Sequence, residues 1–233
     1  MRTMVARHFG ALKNALHLLE QCYREELSNK NPLTQPIPDP EFPYPLSYIC
    51  INTSLKHSFT YISNMIKSKL LFATAETADG GKICIKFVRH YSKDAHALCA
   101  SKGFAPLLKG FEQLPGGWYM VVMEMIGQDY YCLSNFPYHY PHYRDIMRTL
   151  ISLHQEGYVH GDIRHTNIMV KTDGVQGFKL VDFDWSGRIG QVRYPMNVYR
   201  SQRLWRPLGA VDGQLIQADH DTKILLACIA CTL

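Results

Sequence analysis

Apolar residues Val5, Phe9, Leu12, Leu16 and Leu19 recur at alternating intervals of four and three, with Lys13 and Glu20 off that line. The spacing predicts an amphipathic helix over about residues 4–28. Six prolines follow between Asn29 and Pro45, and because proline fixes φ and removes a donor, this stretch reads as a linker. Three β-type runs come next, at residues 59–66, 70–77 and 82–88, with Asp79-Gly80-Gly81 as a hairpin signal between the last two. A short helix carrying Leu98 is expected over residues 91–102. Two further strands are expected at 106–108 and 118–124, joined through Pro115-Gly116-Gly117. Ile146, Leu150, Ile151 and Leu153 give residues 143–155 a helical period, with Gly157 as C-cap. The runs 168–170 and 178–181 read as paired short strands about an Asp173-Gly174 turn, and residues 222–233 as an apolar helix.

The polar residues between these last elements carry the chemistry. His160-Gly161-Asp162 precedes the first short strand, Asn167 lies five residues after Asp162, and Asp182-Phe183 follows the second strand. A carboxylate that orients an attacking hydroxyl, then an amide and a second carboxylate that hold Mg²⁺ against phosphates, is the order that phosphoryl transfer from ATP needs. On these residues the chain resembles the protein-kinase-like superfamily, and within it the short kinase-like domains abundant in fungi. His-Gly-Asp in place of His-Arg-Asp also occurs in aminoglycoside and choline kinase relatives.

The resemblance implies an α+β, two-lobed kinase-like fold with a five-stranded small lobe and a shortened, mainly helical large lobe. The boundaries it suggests are a helical appendage at residues 1–28, a Pro-rich linker at 29–57, the small lobe at 58–126 and a C-terminally truncated large lobe at 127–233. ATP and Mg²⁺ are the implied cofactors. Asp162 is the implied catalytic base or orienter, and Arg164 the cation that steadies the γ-phosphate. Asn167 and Asp182 are the implied Mg²⁺ ligands, Lys86 the phosphate anchor, and the backbone of Glu124 and Ile126 the adenine hinge behind Met123. Asp221 resembles the buried Asp that holds the catalytic-loop backbone, with a plain helix cap as the alternative.

Two departures accompany the resemblance. The helix after Lys86 has no Glu to pair with it; Asp94 is the preferred substitute, with His96 read instead as a satisfied histidine. No glycine lies between Phe59 and Leu71, where a phosphate-covering loop is expected; the segment 64–68, with Lys67, would serve in its place.

The chain is 46% apolar and 19% charged with a formal net charge of +5, an ordinary globular balance too weakly basic to imply nucleic acid. No apolar run reaches the ~18 residues of a membrane span, and no secretory signal is evident. Seven scattered cysteines fit a reduced cytoplasmic or nuclear setting. Cys228 and Cys231 read as core residues, and His139 and His142, without further ligands, as part of a packed aromatic loop. Arg188, Arg193, Arg200, Arg203 and Arg206 make residues 185–207 basic, which suits either an acidic substrate or a solvated loop. A protein Ser/Thr acceptor is the expected substrate. The alternatives are a small-molecule kinase of the aminoglycoside or choline type and a non-catalytic binding module.

Overall fold

The computed structural model describes residues 2–28, 43, 45–66, 69–135, 143–171, 177–200 and 204–230. Lys67, Ser68, His139, His142, the Asp173-Gly174 turn, Arg203, Cys231 and most of the Pro-rich stretch lie outside the described residues. Contacts divide the chain into two units, residues 1–39 and residues 40–233. The first contains the helix α1 (Arg2–Ser28), whose Phe9, Leu12, Leu16 and Leu19 are exposed.

In the second unit, β1 (Ser47–Ile49), β2 (Lys56–Ile66), β3 (Lys69–Thr77), β4 (Lys82–Val88), β5 (Leu108–Leu114) and β6 (Trp118–Glu124) form one antiparallel sheet in the order β1-β2-β3-β4-β6-β5. The sheet thus has six strands, not the expected five. The added strand, β1, lies inside the segment read as linker, and it is held by Tyr48. That ring is buried against Gly110, where a Cβ would stand 2.7 Å from its Cδ2. The fifth strand also begins where the expected 106–108 strand ends.

Alternation along β4 explains where its lysine points. Ile83, Ile85 and Phe87 pack with Tyr48, Phe59, Ala75, Met120 and Val122 on one face. Cys84 and Val88 turn to the other face, with Val121 and Met123, and the period of two puts Lys86 on that side as well. Helix α2 (Lys93–Ser101), N-capped by Ser92, covers this second face with buried Ala95, His96 and Cys99.

The rest of the unit is mostly helix and short strands. β7 (Tyr130–Cys132), α3 (Tyr143–Gln155), β8 (Tyr158–Val159), β9 (Ile168–Lys171), β10 (Phe178–Leu180), β11 (Gly187–Arg188) and α4 (Ala218–Ala230) follow in that order. β9 pairs antiparallel with β10 and β7, and β8 with β11. Helix α4 starts at Ala218, four residues before the apolar run suggests, because its first turn is polar and carries Asp219 and Asp221.

Asp221 is fully buried. Its two oxygens accept the backbone N–H groups of His160 and Gly161, each at 2.8 Å, and His154 Nε2 lies 3.1 Å from Oδ2. A buried backbone donor without a partner costs about 1–3 kcal/mol. Asp221→Ala leaves two of them, so its urea-unfolding free energy should fall by about 3 kcal/mol or more. A loss below about 1 kcal/mol would mean that the loop is held by something else.

Candidate active site

Lys86 Nζ donates to Asp182 Oδ1 at 2.7 Å and to Asp184 Oδ1 at 2.6 Å. Neither residue considered as its partner from the sequence is used. Asp94 sits on the exposed first turn of α2, where Tyr158 Oη donates to it at 3.4 Å. His96 is buried with both ring nitrogens engaged, Nδ1 to Tyr91 Oη and Nε2 to the Pro106 carbonyl, each at 2.7 Å. Burial holds His96 down, at a pKa of about 4. It is therefore neutral, accepting from the tyrosine and donating to the carbonyl, a satisfied core histidine.

The two acids do not share the lysine equally. Burial opposes charge on all three groups. The lysine more than offsets it at Asp182, which is lowered, and the two carboxylates more than offset it at Lys86, which is raised. Asp184 goes the other way: burial, then the Asp182 charge, push it up to about 7. Two carboxylates on one ammonium leave an uncompensated negative charge, and Asp184 gives it up first.

Phe183 sits between the acids and is fully buried. It stacks on His96 at 4.7 Å between centroids and packs against His160 at 5.0 Å. Its carbonyl accepts the Ser92 N–H at 3.2 Å, tying the acidic segment to the start of α2.

The loop from His160 to Asn167 places a third carboxylate. His160 Nδ1 accepts the Asp162 N–H at 3.3 Å, and its Nε2 donates to the Val181 carbonyl at 3.2 Å. Gly161 has φ +83°, and a Cβ there would stand 2.6 Å from the Trp185 carbonyl oxygen. Only glycine meets both conditions without strain, which accounts for His-Gly-Asp. Asn167 Nδ2 donates to the Asp162 carbonyl and to its Oδ2, each at 3.0 Å, and Arg164 Nε lies 3.0 Å from the same Oδ2. Arg206 Nη2 donates to Oδ1 at 2.5 Å.

At the edge of β6, the Glu124 N–H donates to Leu107 O at 2.9 Å, and its carboxylate pairs with Lys179 at 3.2 Å. Any adenine contact from Glu124 therefore falls to its carbonyl. Ile126 follows outside regular structure, with no backbone hydrogen bond among the described residues.

No protein-family model and no curated protein sequence matches the chain. Solved structures do. The chain is similar to the kinase PK-1 of Cydia pomonella granulovirus, with TM-score 0.56 and 14% identity over 74% of this chain and 69% of that one. It is similar also to vaccinia-related kinase 3, with TM-score 0.54 and 15% identity over 92% of this chain and 73% of that one. The chain has the protein-kinase fold. Within that fold, Lys86 and Asp182 come together as their motifs suggest, as do Asp162, Arg164 and Asn167. Two residues that sequence reasoning passed over stand beside them. Asp184 carried a visible signal, since it repeats the acid of Asp182 two residues on. Arg206 carried none that set it apart from its basic neighbours.

The raised Asp184 gives the metal-free protein a pH dependence. A carboxyl whose folded pKa lies above its unfolded value near 3.8 contributes stability below pH 4 and loses it as pH rises through 7. Asp184→Asn does not titrate. Its melting temperature relative to wild type should therefore shift in its favour by about 5–10 °C, roughly 2–3 kcal/mol, between pH 5 and pH 8 in EDTA. A gap independent of pH would show that Asp184 is ionised throughout.

Proposed function

We propose that the protein is an ATP-dependent phosphotransferase that moves the γ-phosphoryl group of ATP to a hydroxyl, with a Ser or Thr of a protein as acceptor. The observation that carries the reading is the convergence of Lys86 on Asp182, across 96 residues of sequence, beside the Asp162–Asn167 loop of a kinase fold. Charge placed this way suits a reaction in which positioning and electrostatics supply nearly all the catalysis.

The residues fit Mg²⁺. That ion takes hard oxygen donors and settles for one or two carboxylates, with phosphates and water completing its shell. Asp182 supplies a carboxylate held low by Lys86 and Asn167 an amide oxygen, and two carboxylates facing one ammonium leave negative charge for a cation to offset. When bound, the metal would offset charge developing on the phosphates. Lys86 exchanges its carboxylate partners for phosphate oxygens. The Glu124 carbonyl and the Ile126 N–H receive adenine at the end of β6 and just beyond it. Asp162 orients the acceptor hydroxyl and takes its proton, and Arg164 lies beside it to meet negative charge on the transferring group.

Among the described residues no helix is long and apolar enough to cross a membrane. A reducing compartment, cytoplasm or nucleus, is proposed from the seven scattered cysteines of the sequence.

Incubation with γ-labelled ATP and Mg²⁺ tests the reading. Label should pass to Ser or Thr of protein pools, and Asp162→Asn should lower turnover by about 100-fold or more, within the usual range for a proton-transfer residue, while MgATP affinity stays within about threefold. Undiminished turnover in Asp162→Asn would remove Asp162 from the mechanism. Label found only in small molecules would make the acceptor a metabolite.

A further inference from the structure

The basic run around residues 188–206 is not one feature. Arg188 lies over the Tyr158 ring at 4.7 Å, Arg193 donates to the Gly213 carbonyl at 2.9 Å, and Arg200 donates to the Ala210 carbonyl. The first packs across the β8–β11 pair and the other two brace loops. Arg206 differs, for its side chain is 1% exposed and paired with Asp162, whose side chain is 5% exposed. Its guanidinium lies over the Trp185 ring at 4.8 Å, and Nε donates to the Tyr199 carbonyl at 3.2 Å. Nη1 is buried and has no hydrogen-bond partner among the described residues.

This arrangement bears on how an acceptor reaches Asp162. A carboxylate accepts at about four lone-pair positions. Here Asn167 donates to Oδ2 and Arg206 to Oδ1, while Arg164 is ion-paired beside Oδ2 without a hydrogen bond, in a site where the Asp162 side chain is 5% exposed. Lone pairs remain on both oxygens, but with the Arg206 and Asp162 side chains 1% and 5% exposed the approach to Oδ1 is closed, and an acceptor hydroxyl reaches it by moving Arg206 aside. A neutral acceptor that did so would leave a buried guanidinium unpaired, the costly way to break a buried ion pair. An acceptor that brings its own anion exchanges one carboxylate for another and leaves no charge stranded. The free Nη1 then becomes the second prong of a two-point contact, the geometry in which arginine holds carboxylate or phosphate best. Trp185 beneath the guanidinium preserves its plane through the exchange.

We infer that Arg206 is the acceptor-specificity residue of the site: it covers Asp162 until an acceptor arrives whose hydroxyl lies beside a carboxylate or phosphate, and then binds that anion. The inference rests on the phosphotransferase reading and deepens it by naming the acceptor chemistry. In the transfer, the acceptor oxygen bonds to the γ-phosphorus as the bond from that phosphorus to the ADP oxygen breaks. The hydroxyl proton passes to Asp162 Oδ1 and on to solvent.

The test uses the full chain with MgATP. Ser and Thr peptides with Asp or Glu beside the hydroxyl are compared with their Asn or Gln counterparts, and small hydroxy acids with their amides, so that a protein and a metabolite source of the same chemistry are told apart. Wild type should favour the anionic member of at least one series by about 10-fold or more in kcat/KM, the usual weight of a charge-assisted hydrogen-bond pair. Arg206→Gln should bring that ratio to within about threefold of one, with Arg206→Lys between, since lysine gives a single point of contact. Water as acceptor gives a second readout that needs no identified substrate. With Oδ1 uncovered, Arg206→Gln should hydrolyse ATP several-fold faster than wild type, and adding Asp162→Asn should abolish that gain.

Equal use of neutral and anionic acceptors by wild type, a preference retained in Arg206→Gln, or hydrolysis by folded Arg206→Gln no faster than wild type would each overturn the inference. The wild-type comparison stands even if the variant fails to fold. Calorimetry with MgATP on the same samples separates the two levels: no binding to wild type overturns the phosphotransferase reading and the inference with it, whereas binding without the anionic preference overturns only the inference.

Discussion

The contact on which the site depends is Lys86 set between Asp182 and Asp184. It joins the central strand of the sheet to the acidic segment after β10 and fixes the charge of the site at one cation against two acids. It also helps to hold an unfavourable backbone. Asp182 has φ 71° and ψ 67°, the left-handed region in which a non-glycine residue is strained by about 1–2 kcal/mol. That conformation persists because both sides of it are tied down. The Asp182 carboxylate is drawn to Lys86, and the next side chain, Phe183, is locked in aromatic contact with His96 and His160.

The same economy governs the loop that carries Asp162. Few of its backbone groups are satisfied by regular secondary structure, so buried side chains take that part. Asp221 receives two N–H groups, His160 bridges from the Asp162 N–H to the Val181 carbonyl, and Ser186 Oγ donates to the His160 carbonyl at 2.8 Å. These partners come from α4, from the acidic segment and from the loop itself. The position of Asp162 is therefore set by tertiary contacts as much as by local sequence. The paired strands β9 and β10 keep Asn167 and Asp182 in step, with the Val181 N–H donating to the Asn167 carbonyl at 3.0 Å.

What the sequence disclosed follows from the range over which each signal acts. The strand carrying Lys86 is a local signal, so the sequence located it; the face on which the lysine lies came from the packing of its neighbours. The amphipathic period of residues 143–155 gave α3 with both of its ends. The five-residue step from Asp162 to Asn167 is likewise a local geometric requirement. Strand β1 escaped because three residues after a run of prolines carry no measurable period, and what fixes it is Tyr48 packed on Gly110, 62 residues away. The partner of Lys86 escaped for a related reason. Asp94 and His96 are near in sequence, but the acids that reach the lysine are 96 and 98 residues distant. Arg206 could not be told from four other arginines by composition, since what distinguishes it is burial against Asp162.

The central claim is that Asp182 and its neighbours form a MgATP site, and calorimetric titration of ATP into wild type and Asp182→Asn, each with and without Mg²⁺, tests it most directly. On the proposed function the variant removes a negative charge that would face the phosphates and also a carboxylate that would hold the metal, and these losses act in opposite directions. Without Mg²⁺, Asp182→Asn should bind ATP as tightly as wild type or more tightly; with Mg²⁺, wild type should bind about 10-fold more tightly than the variant, as expected for loss of one carboxylate ligand. Equal affinity in all four titrations, or no binding of ATP to wild type in either condition, would contradict the account.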